Sequence, residues 1–180
     1  KAFALLDAKS CPEDWLFRFV ATNEDSLQNH VCMREDNVLE GEKCCVISTI
    51  ARFAYDGFDN AKLKDVRWDY IVIDEASMIP LAQIIYPIYK CPDATIIIAG
   101  DPMQIEPIVY EDVWKDENIY KMVQLENFLN PKTRPVQFDI TNLTTQYRAV
   151  PAIGNLFSKY AYDGGVISHR QQETQRKLIL

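Results

Sequence analysis

The sequence predicts an α/β protein built on a parallel sheet. Three observations carry that expectation: three short, continuous apolar runs, an amphipathic segment between the last two, and polar or glycine-containing turns where the runs end. The runs are residues 44–50, 70–73 and 95–99, rich in Ile and Val. Apolar runs of this length without alternation are expected of strands covered on both faces, as in a parallel sheet flanked by helices.

Between the second and third runs, Leu81, Ile84, Ile85 and Ile88 recur at i, i+3, i+4 and i+7, the spacing of one helical face. Pro80 suits the first helical turn, and Pro87 is expected to kink or end the helix late. Strand, helix and strand within about thirty residues make a βαβ unit. Residues 141–148 read as a further strand, and Pro151 to Tyr162 as a helix ended by Gly164-Gly165. The first forty residues are less regular. Ser10, Pro12 and Glu13 fit a capping box before a helix through Trp15, Leu16 and Phe19, while the alternation over 15–20 fits a strand equally. From Asn23 to Lys43 the chain is polar and acidic, as in a loop or surface helix.

The 180 residues, 48% of them hydrophobic, suffice to bury a core. No apolar run approaches the ~18–20 residues that span a bilayer, and no signal-peptide pattern opens the chain. It begins at Lys1, as an excised region would. Cys11, Cys32, Cys44, Cys45 and Cys91 contain no CxxC pair, which fits reduced thiols in cytoplasm or nucleus. The net charge of −7 argues against a generic basic nucleic-acid binder. The charge is uneven: residues 1–129 hold 12 Lys and Arg against 23 Asp and Glu, whereas residues 130–180 hold 7 against 3. That shift implies a boundary near 130–135 and is compatible with a groove that meets phosphate on one side.

Three segments carry candidate chemistry. The run 70–73 leads into Asp74-Glu75, so two carboxylates stand at the carboxyl edge of a sheet, where α/β proteins bind ligands. In nucleotide hydrolases the first such acid holds Mg²⁺, commonly through water, and the second activates the attacking water. A strand running into a solvated turn gives the same pattern. The run 95–99 leads into Gly100-Asp-Pro-Met-Gln-Ile-Glu-Pro107, a tight turn at the same edge. Gln104 there is a neutral amide able to hydrogen-bond both a phosphate oxygen and a water. Finally, in Gln146-Tyr147-Arg148, the guanidinium of Arg148 suits charge on a transferring phosphoryl group, and the ring of Tyr147 suits stacking on a base. A lone Tyr-Arg pair is also ordinary surface structure.

Together, DEAS at 74–77, GDPMQIEP at 100–107 and QYR at 146–148 resemble motifs II, III and IV of superfamily 1 helicases, in order and at plausible spacing. The branch resembled contains the nonsense-mediated-decay helicase and senataxin. Pro151, Ile153, Leu156, Ser158, Tyr162 and Gly164 follow that branch's proline-led helix, and Val46 to Ile50 resembles the strand before motif II. The likeness covers about residues 44–166, and the GDxxQxxP octet is its most specific part. It departs at Ala149-Val150, where Met-His is usual, and at Ala161-Tyr162, where the branch has Phe-Tyr.

The resemblance implies a partial RecA-like (P-loop NTPase) domain with a parallel sheet over 44–129, a linker and the start of a second RecA-like domain over 130–180, and an unassigned region over 1–43. It implies ATP and Mg²⁺ as cofactors, single-stranded DNA or RNA as partner, and a role in ATP-driven unwinding. By position, Asp74 serves Mg²⁺, Glu75 the attacking water, and Gln104 couples the terminal phosphate to motion. Arg148 binds that phosphate, Tyr147 lies by the adenine, and Thr49 lies near the nucleic-acid backbone. Glu75, Gln104 and Arg148 are thus the expected catalytic set, with Asp74, Gln104, Tyr147 and Arg148 around the nucleotide. No GxxxxGK[ST] phosphate loop occurs in the chain, and motifs V and VI do not occur either. The expectation is therefore a helicase piece truncated at both ends. A helicase-shaped module that binds nucleic acid without hydrolysis is the alternative, and an unrelated hydrolase sharing only the Asp-Glu strand is a third reading.

Overall fold

The computed structural model describes residues 16–19, 33–34, 44–54, 66–110, 112–125 and 138–169. Within them the chain passes through β1 (Leu16–Phe19), β2 (Met33–Arg34), β3 (Cys45–Val46), α1 (Ile50–Ala54), β4 (Tyr70–Ile73) and α2 (Leu81–Lys90). It continues through β5 (Thr95–Ile98), α3 (Ile119–Met122), β6 (Thr145–Gln146), α4 (Pro151–Ala161) and β7 (Ile167–Ser168). All described pairings are parallel: β2-β1-β3, β4-β5 and β6-β7. This is the mixed α/β chain with parallel strands that the apolar runs predict.

The βαβ unit sits as expected. β4 and β5 are neighbours in the register Tyr70–Thr95 to Ile73–Ile98. α2 joins them and buries Leu81, Ile84 and Pro87. Ile73, Ala76, Leu81, Ile84, Ile119 and Tyr120 form the buried cluster, with Ile50, Ile71 and Ile98 packed against it. Fully burying a branched apolar side chain stabilises by about 1.5–3 kcal/mol, so this cluster anchors the β4–β5 edge. Pro87 lies inside α2, which ends within one further turn, where Cys91 N–H closes on the Pro87 carbonyl at 3.0 Å.

Four expectations need correction. The strands are not covered on both faces: Tyr70 (65%) and Val72 (63%) are exposed, and Thr95 and Ile97 opposite them are exposed too. Among the described residues, helices cover only the face of Ile71, Ile73 and Ile98. The strand expected over 44–50 is two residues long, because Thr49 starts a helix; its carbonyl accepts from Phe53 N–H at 2.9 Å and its Oγ1 from Arg52 N–H at 3.3 Å. The strand expected over 141–148 is likewise only Thr145–Gln146, paired with β7, a strand the sequence does not announce. Within the polar stretch from Asn23 to Lys43, Met33–Arg34 is a strand beside β1, so that stretch is not loop or surface helix alone.

Of the two forms open for 15–20, Leu16–Phe19 takes the strand. α4 starts at Pro151 as expected, and its end turns through Asp163 (φ 49°) and Gly164 (φ 80°), with Gly164 N–H on the Ser158 carbonyl at 2.9 Å. Ser10 to Trp15, Cys11, Cys32 and the boundary near 130–135 lie outside the described residues. Among the described residues no helix is long and apolar enough to cross a membrane.

Candidate functional site

The carboxyl ends of β4 and β5 lie side by side. Ala99 N–H donates to the Ile73 carbonyl (2.8 Å) and Ala76 N–H to the Ala99 carbonyl (3.0 Å), so the ladder continues past both strands. The two turns that follow, Asp74-Glu75 and Gly100 to Gln104, therefore share one sheet edge. Glu75 takes the left-handed conformation (φ 54°, ψ 39°), which non-glycine residues rarely adopt, and opens the 3₁₀ turn Ala76–Met78. Its N–H donates to Asp74 Oδ1 at 3.0 Å. Both carboxylates are exposed. Gly100 is required by close approach: a Cβ there would lie 2.5 Å from Tyr120 Oη and 2.9 Å from Ala76 N.

Asp101 organises the second turn. Its Oδ1 accepts from Met103 N–H at 3.0 Å and its Oδ2 from Gln104 Nε2 at 3.1 Å. The same Oδ2 accepts from Tyr162 Oη, which follows α4. Burial, the hydrogen bond to Asp101 and that carboxylate's charge push the Tyr162 phenol up to about 12.

Tyr120 stands against the same edge. It is 7% exposed, and its Oη is buried with no hydrogen-bond partner among the described residues. Burial first, then the charges of Asp101, Glu75 and Asp74, push its phenol up to about 12. Three carboxylates from two turns thus act on one buried hydroxyl. Among the described residues no group of three or more His, Cys, Asp and Glu is arranged to hold a metal by itself. The thiols of Cys44, Cys45 and Cys91 are free, and burial raises all three, so they are poor nucleophiles at neutral pH.

The remaining predicted residues are elsewhere. Tyr147 and Arg148 are exposed and follow β6, not β5. Gln146 shapes the turn that presents them: its amide accepts from Ala149 N–H (2.8 Å) and donates to the Ala149 carbonyl (3.0 Å) and to Ser168 Oγ (2.6 Å). One face of the Tyr147 ring packs on His169, centroids 4.4 Å apart. Among the described residues no ion pair joins Arg148 to Asp74, Glu75 or Asp101. Thr49 is exposed at the start of α1. The structure therefore gathers Asp74, Glu75 and Gln104 at one edge and keeps Thr49, Tyr147 and Arg148 on other elements.

Sequence reasoning missed Asp101, Tyr120 and Tyr162 as members of this neighbourhood. An Asp opening a Gly-Asp-Pro turn is a usable signal for the first. Around Tyr120 the sequence shows only a short capped helix, with Asn118 Oδ1 accepting from Lys121 N–H at 2.9 Å.

No protein-family model matches the chain. Among the curated proteins similar to it are two named as helicases. One is the DNA replication ATP-dependent helicase/nuclease dna2 of Schizosaccharomyces pombe, 30% identical over 115 residues, covering 63% of this chain and 8% of that protein. The other is the 5'-3' DNA helicase ZGRF1 of Mus musculus, 26% identical over 106 residues, covering 59% of this chain and 5% of that protein. The chain thus spans less than a tenth of either relative's length, and the likeness points to a helicase relationship.

Proposed function

We propose that these 180 residues carry part of the ATP-hydrolysing machinery of a superfamily 1 helicase, which couples Mg-ATP hydrolysis to movement on single-stranded nucleic acid. The observation that supports it is the shared sheet edge, where the turn with Asp74 and Glu75 meets the turn with Asp101 and Gln104. The branch of the nonsense-mediated-decay helicase and senataxin remains the one the motifs resemble. One of these relatives is named as a DNA replication helicase/nuclease and the other as a DNA helicase, which favours DNA over RNA as the track.

The donor set fits Mg²⁺: exposed carboxylate oxygens at a sheet edge, beside a buried hydroxyl that has no partner among the described residues. Mg²⁺ prefers one or two carboxylates, its own waters and substrate phosphates to an all-protein cage. Asp74 would hold it, and bound there it would neutralise charge on the terminal phosphates. Glu75 accepts the proton of the attacking water. Gln104 contacts the terminal phosphate, while Arg148, on the β6–β7 unit, offsets charge on the transferring group. Tyr147 stacks by the adenine, backed by His169. Thr49 lies on the nucleic-acid path.

The test is steady-state phosphate release, with and without a single-stranded oligonucleotide, from the full-length protein and from the 180 residues alone. The full-length protein should hydrolyse ATP and be stimulated by oligonucleotide. The 180 residues alone should hydrolyse negligibly, because they contain no GxxxxGK[ST] to cradle the phosphates. In the full-length protein Glu75→Gln should abolish turnover while sparing nucleotide binding, and Arg148→Ala should slow turnover by ~10³-fold or more. Robust hydrolysis by the 180 residues would sink the phosphate-loop argument. Normal turnover by Glu75→Gln would leave the non-hydrolysing module ahead.

A further inference from the structure

We propose that Tyr162 is a positioning residue for Gln104, acting through Asp101, so that the β6–α4–β7 unit and the phosphate-contacting amide sense one another. The inference rests on the reading of Gln104 given above. Its geometric basis is a single shared atom: Asp101 Oδ2 accepts from Gln104 Nε2 and from the Tyr162 hydroxyl, which lies 61 residues further along the chain. The other carboxylate oxygen is taken by Met103 N–H. Gln104 keeps its carbonyl oxygen and one N–H for a ligand.

Tyr162 is held to its own unit. Its N–H donates to the Ser158 carbonyl (3.1 Å), its carbonyl accepts from Gly165 N–H (2.7 Å), and its ring meets Phe157 edge-on. Ser158 is buried, and its Oγ donates to the Val166 carbonyl at 2.6 Å, just before β7. Any displacement of β6–α4–β7 from the β5 turn must therefore break the phenol–carboxylate bond. Such charge-assisted bonds are roughly twice as strong as neutral ones, so the break is felt at Asp101.

Two arrangements follow. With Tyr162 seated, Oδ2 is shared and Gln104 is held less tightly. With Tyr162 withdrawn, Oδ2 belongs to Gln104 alone, and the amide is drawn back to its own turn. A ligand that engages the Gln104 amide favours the seated arrangement, and by linkage the seated unit favours that ligand.

The experiment measures the affinity of the full-length protein for a fluorescent ATP analogue with Mg²⁺, with and without saturating single-stranded oligonucleotide. The ratio of the two affinities is the coupling factor. Tyr162→Phe should cut it by about tenfold, within the usual range for coupling between sites. Gln104→Ala should remove the same coupling, and adding Tyr162→Phe to it should change nothing further. A merely structural tyrosine would lower the melting temperature and weaken both affinities, with additive effects in the double variant; that result overturns the proposal. Full coupling retained in Tyr162→Phe overturns it alone and leaves the hydrolase reading standing. A wild-type protein that binds no nucleotide defeats both.

Discussion

The β4–α2–β5 region and the β6–α4–β7 region are both parallel strand pairs joined through a helix, yet they are held together by different means. The first buries apolar side chains: Ile84 is fully buried, and Ile73 and Leu81 are nearly so. In the second, the buried helix positions are Pro151, Gly154 and Ser158, while Ile153, Leu156, Tyr160 and Ile167 are exposed. Its cohesion comes from hydrogen bonds among Gln146, Ala149, Ser158, Val166 and Ser168. Apolar burial is insensitive to direction, whereas hydrogen bonds fix orientation and are lost together. The first region is therefore built as a rigid edge for Asp74, Glu75 and Gln104, and the second as a small clamp that presents Tyr147 and Arg148.

The largest effect should follow from opening the apolar core. Ile84→Ala is expected to cost about 2–5 kcal/mol, because the transfer term and the cavity term both apply at a fully buried site. Urea unfolding followed by tyrosine and tryptophan fluorescence measures it. A loss below about 0.5 kcal/mol, the level of an ordinary surface substitution, would mean the region is not organised around α2.

The clamp is sharpened by Gly154→Ala. A Cβ there would lie 2.6 Å from Gln146 Nε2 and against Ser168 Oγ. Alanine improves helix propensity by about 1 kcal/mol, but forcing apart a filled contact costs about 1–3 kcal/mol. The net should be a loss of up to about 2 kcal/mol. Adding Ser168→Ala should recover part of it by removing one of the colliding atoms. A stabilised Gly154→Ala would show that the hydrogen bonds around Gln146 are slack and that the contrast between the regions is overstated.

This contrast explains what was legible in the sequence. The spacing of Leu81, Ile84, Ile85 and Ile88 encodes which helix face is buried, so α2 and its flanking strands could be read directly. Asp74-Glu75 and Gly100 to Gln104 could be placed at one edge because each follows such a strand. The clamp has no apolar period to read: Pro151, Gly154 and Ser158 mark its buried face by small size, and β7 has only two residues. The strand expected over 44–50 failed because Thr49 can serve a helix start as well as a strand, and composition does not decide between them. The bond between Asp101 and Tyr162 was illegible, since no local pattern records a partner 61 residues away.

The smallest effect separates two tyrosines that the two regions treat differently. Tyr120 belongs to the apolar cluster, and its hydroxyl is buried with no partner among the described residues; Tyr162 donates to Asp101. An unsatisfied buried hydroxyl costs about 1–3 kcal/mol, so Tyr120→Phe, which keeps the ring, should stabilise by about 1 kcal/mol. Tyr162→Phe removes a satisfied bond and should not stabilise. Their alkaline behaviour should nonetheless agree. Each phenol is raised to about 12, against about 10 when unfolded. Below pH 10 both are protonated in both states, and their contribution is fully present. As pH rises from about 10 to about 12, the unfolded chain loses these protons first, so stability falls through that window. Either substitution alone should flatten the fall only in part, because the other tyrosine still titrates, and the pair should nearly remove the part these two residues supply. Urea midpoints at pH 8, 10 and 11 for the three variants and the wild type provide the check. A destabilised Tyr120→Phe would mean that its hydroxyl is partnered in solution, and the difference between the two tyrosines would disappear.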